Sequence, residues 1–217
     1  MINFFDAIMI VFMITSLLLL GSSRLAGCIR IVALQGILLS LLPLMVSGGG
    51  LTIDSLILSI GTIILKGMVF PWLLSRAIRE AEVRREVEPF VGYITSLGFG
   101  GAAFVISLWI GSRLPVPHGE ASSLTLSVAF FTILTGFFLI VTRRKAISQV
   151  LGYLTLENGI YTFGVGLAYD EPLLVDLGIL LDIFVAVFVM GITLFHINRE
   201  FDSISTDQLV ELKDGEK

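Results

Sequence analysis

Three charged residues lie deep inside apolar stretches of the sequence, where a charged group is costly. Lys66 lies ten residues before Arg76, Glu157 lies 12 residues after Lys145, and Asp182 lies ten residues after Pro172. At the helical rise ten residues span about 15 Å, and a charge near the centre of a bilayer costs roughly 2.5–3.5 kcal/mol on insertion scales. A lysine and two carboxylates at similar depth can pass protons between them. The pattern predicts an intramembrane charged axis.

The residues before Lys66 form a hydroxyl-bearing helix face. Ser59, Thr62 and Lys66 recur at helical spacing, so they share one side of a helix. Pro71 follows and has no N–H, so in an α-helix the carbonyl of Gly67 loses its donor. We therefore expect a polar stripe that leads to Lys66 and a loosened backbone just beyond it.

Glu157 has polar and aromatic neighbours on its own predicted helix. Tyr153, Glu157 and Tyr161 are four residues apart and share a face, and Asn158 adds an amide beside the carboxylate. The tyrosines fit either a proton path or ordinary packing. A static ion pair of Lys66 with one of the carboxylates, which only fixes helix packing, is the alternative to a proton-handling site. A second stripe of small residues indicates helix packing: Gly152, Gly159 and Gly166.

The composition excludes a soluble protein. Of 217 residues, 55% are hydrophobic and 15% are charged, whereas soluble domains carry roughly 25% charged residues. The mean hydropathy is +0.95. Intrinsic disorder, nucleic-acid binding and a secreted disulfide scaffold are excluded as well. The chain is predicted to be a multi-pass, all-α protein of the cell membrane.

Seven stretches have the length and hydropathy that crossing a bilayer requires, roughly 20 residues. The first is read as a retained span and not as a signal peptide, because it begins without a basic residue and is long. Residues 1–197 thus form a seven-span membrane domain, followed by a polar tail at 198–217. The connection Arg76–Pro89 has helical charge spacing and is predicted to continue the third span as a surface helix. The predicted spans are Asn3–Gly21, Ile29–Ser47, Ile53–Ser75, Phe90–Gly111, Ser123–Thr142, Ala146–Tyr169 and Pro172–Ile197.

The basic residues predict the orientation. Short cytoplasmic loops are enriched in lysine and arginine. With the N-terminus outside and the C-terminus in the cytoplasm, twelve of the 14 basic residues fall on the inner side, only Arg113 falls on the outer side, and Lys66 lies within a span. The cluster Arg143–Lys145 is read as an anchor of its inner loop.

The sequence contains no recognisable catalytic, cofactor or metal site. Cys28 is the only cysteine, and the two histidines, His118 and His196, are too far apart and too peripheral to hold a haem. There is no glycine-rich nucleotide loop and no nucleophile–base pair. Any redox cofactor must therefore be held by another chain.

Four segments resemble one family of membrane subunits. They are the basic cluster RRK at 143–145, GYLTLENG at 152–159, DLGILLDIF at 176–184 and FDSISTDQL at 201–209. Together they resemble the hydrogenase-4 component E family, membrane subunits of formate hydrogenlyase-type, group 4 nickel–iron hydrogenase complexes. The last three spans, 143–197, are in turn similar to subunit K of respiratory complex I.

The resemblance implies roles for two of the charged residues. By motif position, Glu157 matches the first of two intramembrane glutamates in the charged axis of subunit K. Asp182 stands roughly where the second glutamate does, and Lys66 has no counterpart in that three-span subunit. The resemblance also implies partners: a hydrogenase module with nickel–iron and iron–sulfur centres, and larger antiporter-like membrane subunits.

These observations predict a non-catalytic membrane subunit of a hydrogenase-type respiratory complex. Glu157 would bind and release the translocated ion, which is a proton or a sodium ion. Lys66 and Asp182 would act as relay or charge-balancing partners. Two alternatives remain open. One is a structural subunit that holds the membrane arm together, and the other is a stand-alone secondary transporter, which an internal repeat would favour.

Overall fold

The computed structural model describes residues 4–46, 53–80, 90–114, 123–167 and 191, and within these ranges it is helical with no β-strand. The all-α prediction is confirmed for this part of the chain. The elements are α1 (Phe4–Gly21), α2 (Leu25–Val46), α3 (Ile53–Thr62), a π-helical segment (Ile63–Val69), α4 (Phe70–Glu80), α5 (Tyr93–Arg113), α6 (Ser123–Thr142) and α7 (Ala146–Leu167).

Four helical stretches are long and apolar enough to cross a membrane. They are Leu25–Leu42, Ser59–Arg79, Tyr93–Arg113 and Ser123–Thr142, and a shorter apolar helix covers Asp6–Gly21. Helix α7 has 22 residues but is more polar. The stretch 172–197, which includes Asp182, and the tail at 198–217 lie outside the described residues. The count of seven spans and the orientation stay predictions.

Short connections place the basic residues together. Only three residues separate α1 from α2 and three separate α6 from α7, so each pair is antiparallel. The end of the bundle where these connections lie also receives the end of α4, which continues the third span as far as Glu80. We call this end the basic end; its described basic residues are Arg24, Arg30, Arg76, Arg79, Arg143, Arg144 and Lys145. The predicted orientation places it in the cytoplasm.

The third predicted span is interrupted by the π-helical segment. The N–H of Phe70 donates to the carbonyl of Leu65, five residues back, which is the π register. Pro71 is the next residue and has no N–H, so this register cannot continue to the carbonyl of Lys66. The expectation of a loosened backbone here was correct in its location. The prediction that the carbonyl of Gly67 loses its donor assumed an α register, whereas the structure has a π register at this point.

Glycines let α6 and α7 approach closely. A Cβ added at Gly152 would lie 2.9 Å from the backbone nitrogen of Ile140, and one at Gly159 would lie 2.7 Å from that of Ile133. On α6, a Cβ at Gly136 would overlap the backbone of Leu156. The packing role predicted for the glycine stripe is confirmed for Gly152 and Gly159, and this contact fixes the orientation of α7.

We expect Gly136→Ala to destabilise the protein by about 1–3 kcal/mol, as overpacking does, because the added methyl meets backbone atoms that cannot rotate away. The control is Gly101→Ala on α5, where an added Cβ has no atom within 4 Å in the described part of the bundle. That change should be neutral or stabilising by up to about 1 kcal/mol through helix propensity. Unfolding of the detergent-solubilised protein by a denaturing detergent, followed by circular dichroism, measures both. Equal effects of the two substitutions would contradict the close α6–α7 contact.

Candidate functional site: a buried ion pair in a polar layer

A layer of polar side chains divides the apolar interior of the bundle. One apolar cluster lies on the side of the basic end and includes residues from α1, α2, α4, α6 and α7. The other lies beyond the layer and includes residues from α1, α2 and α6. Between them α1, α2, the π-helical segment, α6 and α7 each contribute at least one buried polar group, and we call this set the polar layer. Its members are Thr15, Ser16, Gln35, Lys66, Thr132, Glu157 and Asn158.

An ion pair forms the charged part of the polar layer. The Nζ of Lys66 lies 2.5 Å from Oε1 of Glu157, and the two residues are only 6% and 3% exposed. The same ammonium donates to Oδ1 of Asn158 at 3.2 Å. A buried charge is tolerated when it is paired and hydrogen-bonded. The structure therefore brings together two of the three charged residues predicted from depth, while Asp182 lies outside the described residues.

The backbone around Lys66 directs its side chain toward α7. Lys66 is in the middle of the π-helical segment. On the opposite side, Gly36 of α2 is so close that an added Cβ would lie 2.5 Å from the Cβ of Lys66. Any larger residue at this position would push the lysine away from Glu157. The sequence analysis did not identify Gly36, because its only signal is a small residue at the depth of Lys66.

Only some of the other predicted site residues lie close to the ion pair. The ring of Tyr161 lies 5.9 Å from Nζ of Lys66, whereas Tyr153 packs against the apolar cluster nearer the basic end. Ser59 is buried, and its hydroxyl has no hydrogen-bond partner among the described residues. Thr62 is half-buried at the end of α3. Of the expected supporting residues, the structure places Asn158 and Tyr161 at the ammonium group.

A second, uncharged group in the polar layer was missed by the sequence analysis. Nε2 of Gln35 donates to Oγ1 of Thr15 at 3.0 Å and to Oγ of Ser16 at 3.2 Å. Oγ of Ser16 lies 3.4 Å from Oγ1 of Thr132. Gln35 precedes Gly36, so this group continues the polar layer from the ion pair to α1 and α6. The available signal was an amide at mid-span in α2.

A small pocket lies beside Lys66, on the side nearer the basic end. Lys66 and Asn158 form its polar inner wall, and apolar residues of α2, α4 and α7 form the rest, among them Val32, Leu74 and Leu154. Within the described ranges no cluster of three histidine, cysteine, aspartate or glutamate residues could hold a metal ion. The pair contains two groups, an ammonium and a carboxylate, that can each bind a proton.

The fold and the site define a helical membrane protein with a buried lysine–glutamate pair at mid-bundle. The chain belongs to the same family as the uncharacterized protein Rv0085 of Mycobacterium tuberculosis, to which it is 34% identical over 208 residues, 93% of this chain and 92% of the relative. It is also distantly similar to Hydrogenase-4 component E of Escherichia coli K12 and of Shigella flexneri, at 26% identity over 158 residues, 73% of each chain. No family model and no solved structure match the chain.

The relatives agree in general terms with the family resemblance that the sequence motifs indicated. The similarity to component E is distant. The relative that shares a family with this chain is itself described as an uncharacterized protein. Together with the apolar helices, the similarity to component E indicates an integral membrane protein related to a hydrogenase membrane component.

A double-mutant cycle tests whether the two charges depend on each other. Lys66→Met and Glu157→Gln are each expected to cost about 3–5 kcal/mol of stability, because each leaves an uncompensated buried charge. The double variant should cost clearly less than the sum. Arg79→Met, at an exposed position on α4, is the control and should change stability by no more than about 0.5 kcal/mol. Strict additivity of the two single changes would contradict a coupled pair.

Proposed function

We propose that this chain is a non-catalytic membrane subunit of a hydrogenase-type respiratory complex, and that Glu157 is the carboxylate through which it takes part in coupled proton translocation. The observation that carries the proposal is the 2.5 Å contact between Lys66 and Glu157 inside the polar layer. The distant similarity to Hydrogenase-4 component E supports the membership.

A buried ion pair can load and release a proton. While Lys66 is in contact, its charge stabilises the ionised form of Glu157. When the ammonium withdraws, or when a charge on a neighbouring subunit attracts it, the carboxylate loses that stabilisation and takes up a proton. Return of the lysine expels the proton. The π-helical segment suits this role, because π turns are frequent at functional sites and leave local backbone bonding irregular.

The surroundings of the pair supply routes for a proton. The small pocket between α2, α4 and α7 borders Lys66 and Asn158 on the side nearer the basic end, and we propose that a proton from the predicted cytoplasmic side passes here. The hydroxyl and amide group around Gln35 extends the polar layer toward α1 and α6. Asp182 is proposed as a further relay on the seventh span.

The redox chemistry is assigned to partner subunits. The sequence offers no ligand set for a nickel–iron or iron–sulfur centre, so the proposal requires a separate hydrogenase module and larger antiporter-like membrane subunits. Redox events in that module would alter the charge balance at Glu157 through the membrane subunits.

We expect purification in mild detergent from the native host, on a C-terminal affinity tag, to recover hydrogenase-module and antiporter-like subunits with this chain. Mass spectrometry of the eluate identifies them, and an unrelated multi-pass protein with the same tag is the control. Recovery of this chain alone, or only with copies of itself, would contradict the complex and favour a stand-alone transporter.

In complexes that assemble, Glu157→Gln is expected to leave hydrogen-linked electron transfer unchanged but to lower proton translocation by about tenfold or more, because an amide can neither take up nor release the proton. Proton movement is measured in sealed membrane vesicles with a pH-sensitive dye. Asp6→Asn removes one carboxylate in the first turn of α1 and is the matched control, with translocation unchanged.

Two outcomes of the Glu157→Gln experiment would count against the proposal. If coupling and assembly are both normal, Glu157 does not exchange the proton. If the complex fails to assemble, and Lys66→Met with Glu157→Gln restores both assembly and coupling, the pair serves only to hold the helices together.

A further inference from the structure

An arginine is buried at the basic end, where α6 finishes. Arg143 is only 2% exposed. Its Nη2 donates to the carbonyl of Leu20 at 2.9 Å, which satisfies a carbonyl in the last turn of α1, and its guanidinium lies 4.7 Å from the centre of the Tyr93 ring. Arg143 thus lies inside the bundle and contacts α1 and α5, which its interpretation as a loop anchor did not include.

One nitrogen of this guanidinium is not used by the described part of the protein. Nη1 of Arg143 is buried and has no hydrogen-bond partner within the described part of the chain. A buried donor that remains unsatisfied is destabilising, and more so when it carries charge. The group is thus fixed in place by Leu20 and Tyr93 while part of its hydrogen-bonding capacity is left for another molecule.

Arg143 lines an amphipathic pocket. Ser22 and Ser148 provide hydroxyl groups beside it, Cys28 lies in the same wall, and four leucines form the remainder. Ser22 and Arg143 are in the connections, Ser148 is in the first turn of α7, and three of the leucines lie within α1, α6 and α7. Arg24 and Arg144 are exposed on the same end of the bundle.

We propose that this pocket binds the phosphate group of an anionic phospholipid at the predicted cytoplasmic face. A guanidinium held at one nitrogen presents the others to phosphate oxygens in a matching planar geometry, and the serine hydroxyls can donate as well. Basic pockets between membrane helices on the cytoplasmic side are suited to such headgroups. The apolar depth of the pocket favours a lipid over free phosphate, because leucines can cover glycerol and acyl carbons. This site does not depend on the ion pair or on the proposed function.

The single cysteine of the chain reports on the pocket directly. The full-length protein is delipidated in detergent, and modification of Cys28 by methyl methanethiosulfonate is followed by intact mass. Phosphatidylglycerol is expected to slow the modification by about tenfold when present at about ten times its dissociation constant. Phosphatidylcholine at the same concentration should have little effect.

Variants identify the contact. Arg143→Gln is expected to abolish the protection by phosphatidylglycerol. Arg144→Gln makes the same charge change at the exposed neighbouring residue and should keep the protection. Because Arg143→Gln also loses the bond to Leu20, Ser22→Leu provides a second variant that fills the pocket and leaves that bond in place; it too should make Cys28 modification insensitive to the lipid.

The remaining outcomes overturn the assignment. Protection by inorganic phosphate equal to that by phosphatidylglycerol would replace the lipid with a free anion. Protection that persists in Arg143→Gln would show that the lipid does not bind through this arginine. Absence of any protection by phosphatidylglycerol in the unmodified sequence would exclude the lipid as the occupant.

Discussion

The contact between Lys66 and Glu157 is the constraint on which the arrangement of the helices depends. Each charge alone would be costly in the middle of an apolar bundle, and together they are tolerated because the ammonium reaches both the carboxylate and the amide of Asn158. The lysine-bearing helix and α7 must therefore meet at this depth. Gly36 makes room for the lysine on one side, and the glycines of α6 and α7 hold the carboxylate on the other.

The sequence predicted the parts of this structure that follow from hydropathy and depth. The bounds of α6 agree with the predicted span, those of α1 differ by one residue, and Lys66 and Glu157 were found because a charge in an apolar run is conspicuous. The π-helical segment was not predicted, because a proline at position 71 is equally compatible with an α-helix that lacks one hydrogen bond. Hydropathy specifies neither the hydrogen-bond register within a helix nor the helix that packs beside it.

Two groups escaped sequence reasoning for the same physical reason. Gln35 with its hydroxyl partners and Arg143 with Leu20 are each defined by contacts between helices distant in the chain. A neutral amide in a span is an ordinary observation, and an arginine after a span resembles every other loop arginine. Their burial becomes visible only when α1, α2 and α6 are assembled. The informative sequence feature would have been a polar residue recurring at one depth in several spans.

The polar layer combines two kinds of group that can do different things. The group around Gln35 consists of neutral hydroxyls and an amide, whereas the pair of Lys66 and Glu157 carries opposite charges. The lysine stands in the π-helical segment, the part of the described bundle whose backbone bonding departs from the α register. A pair that opens, as the proposed function requires, would therefore draw on a backbone segment that is already irregular.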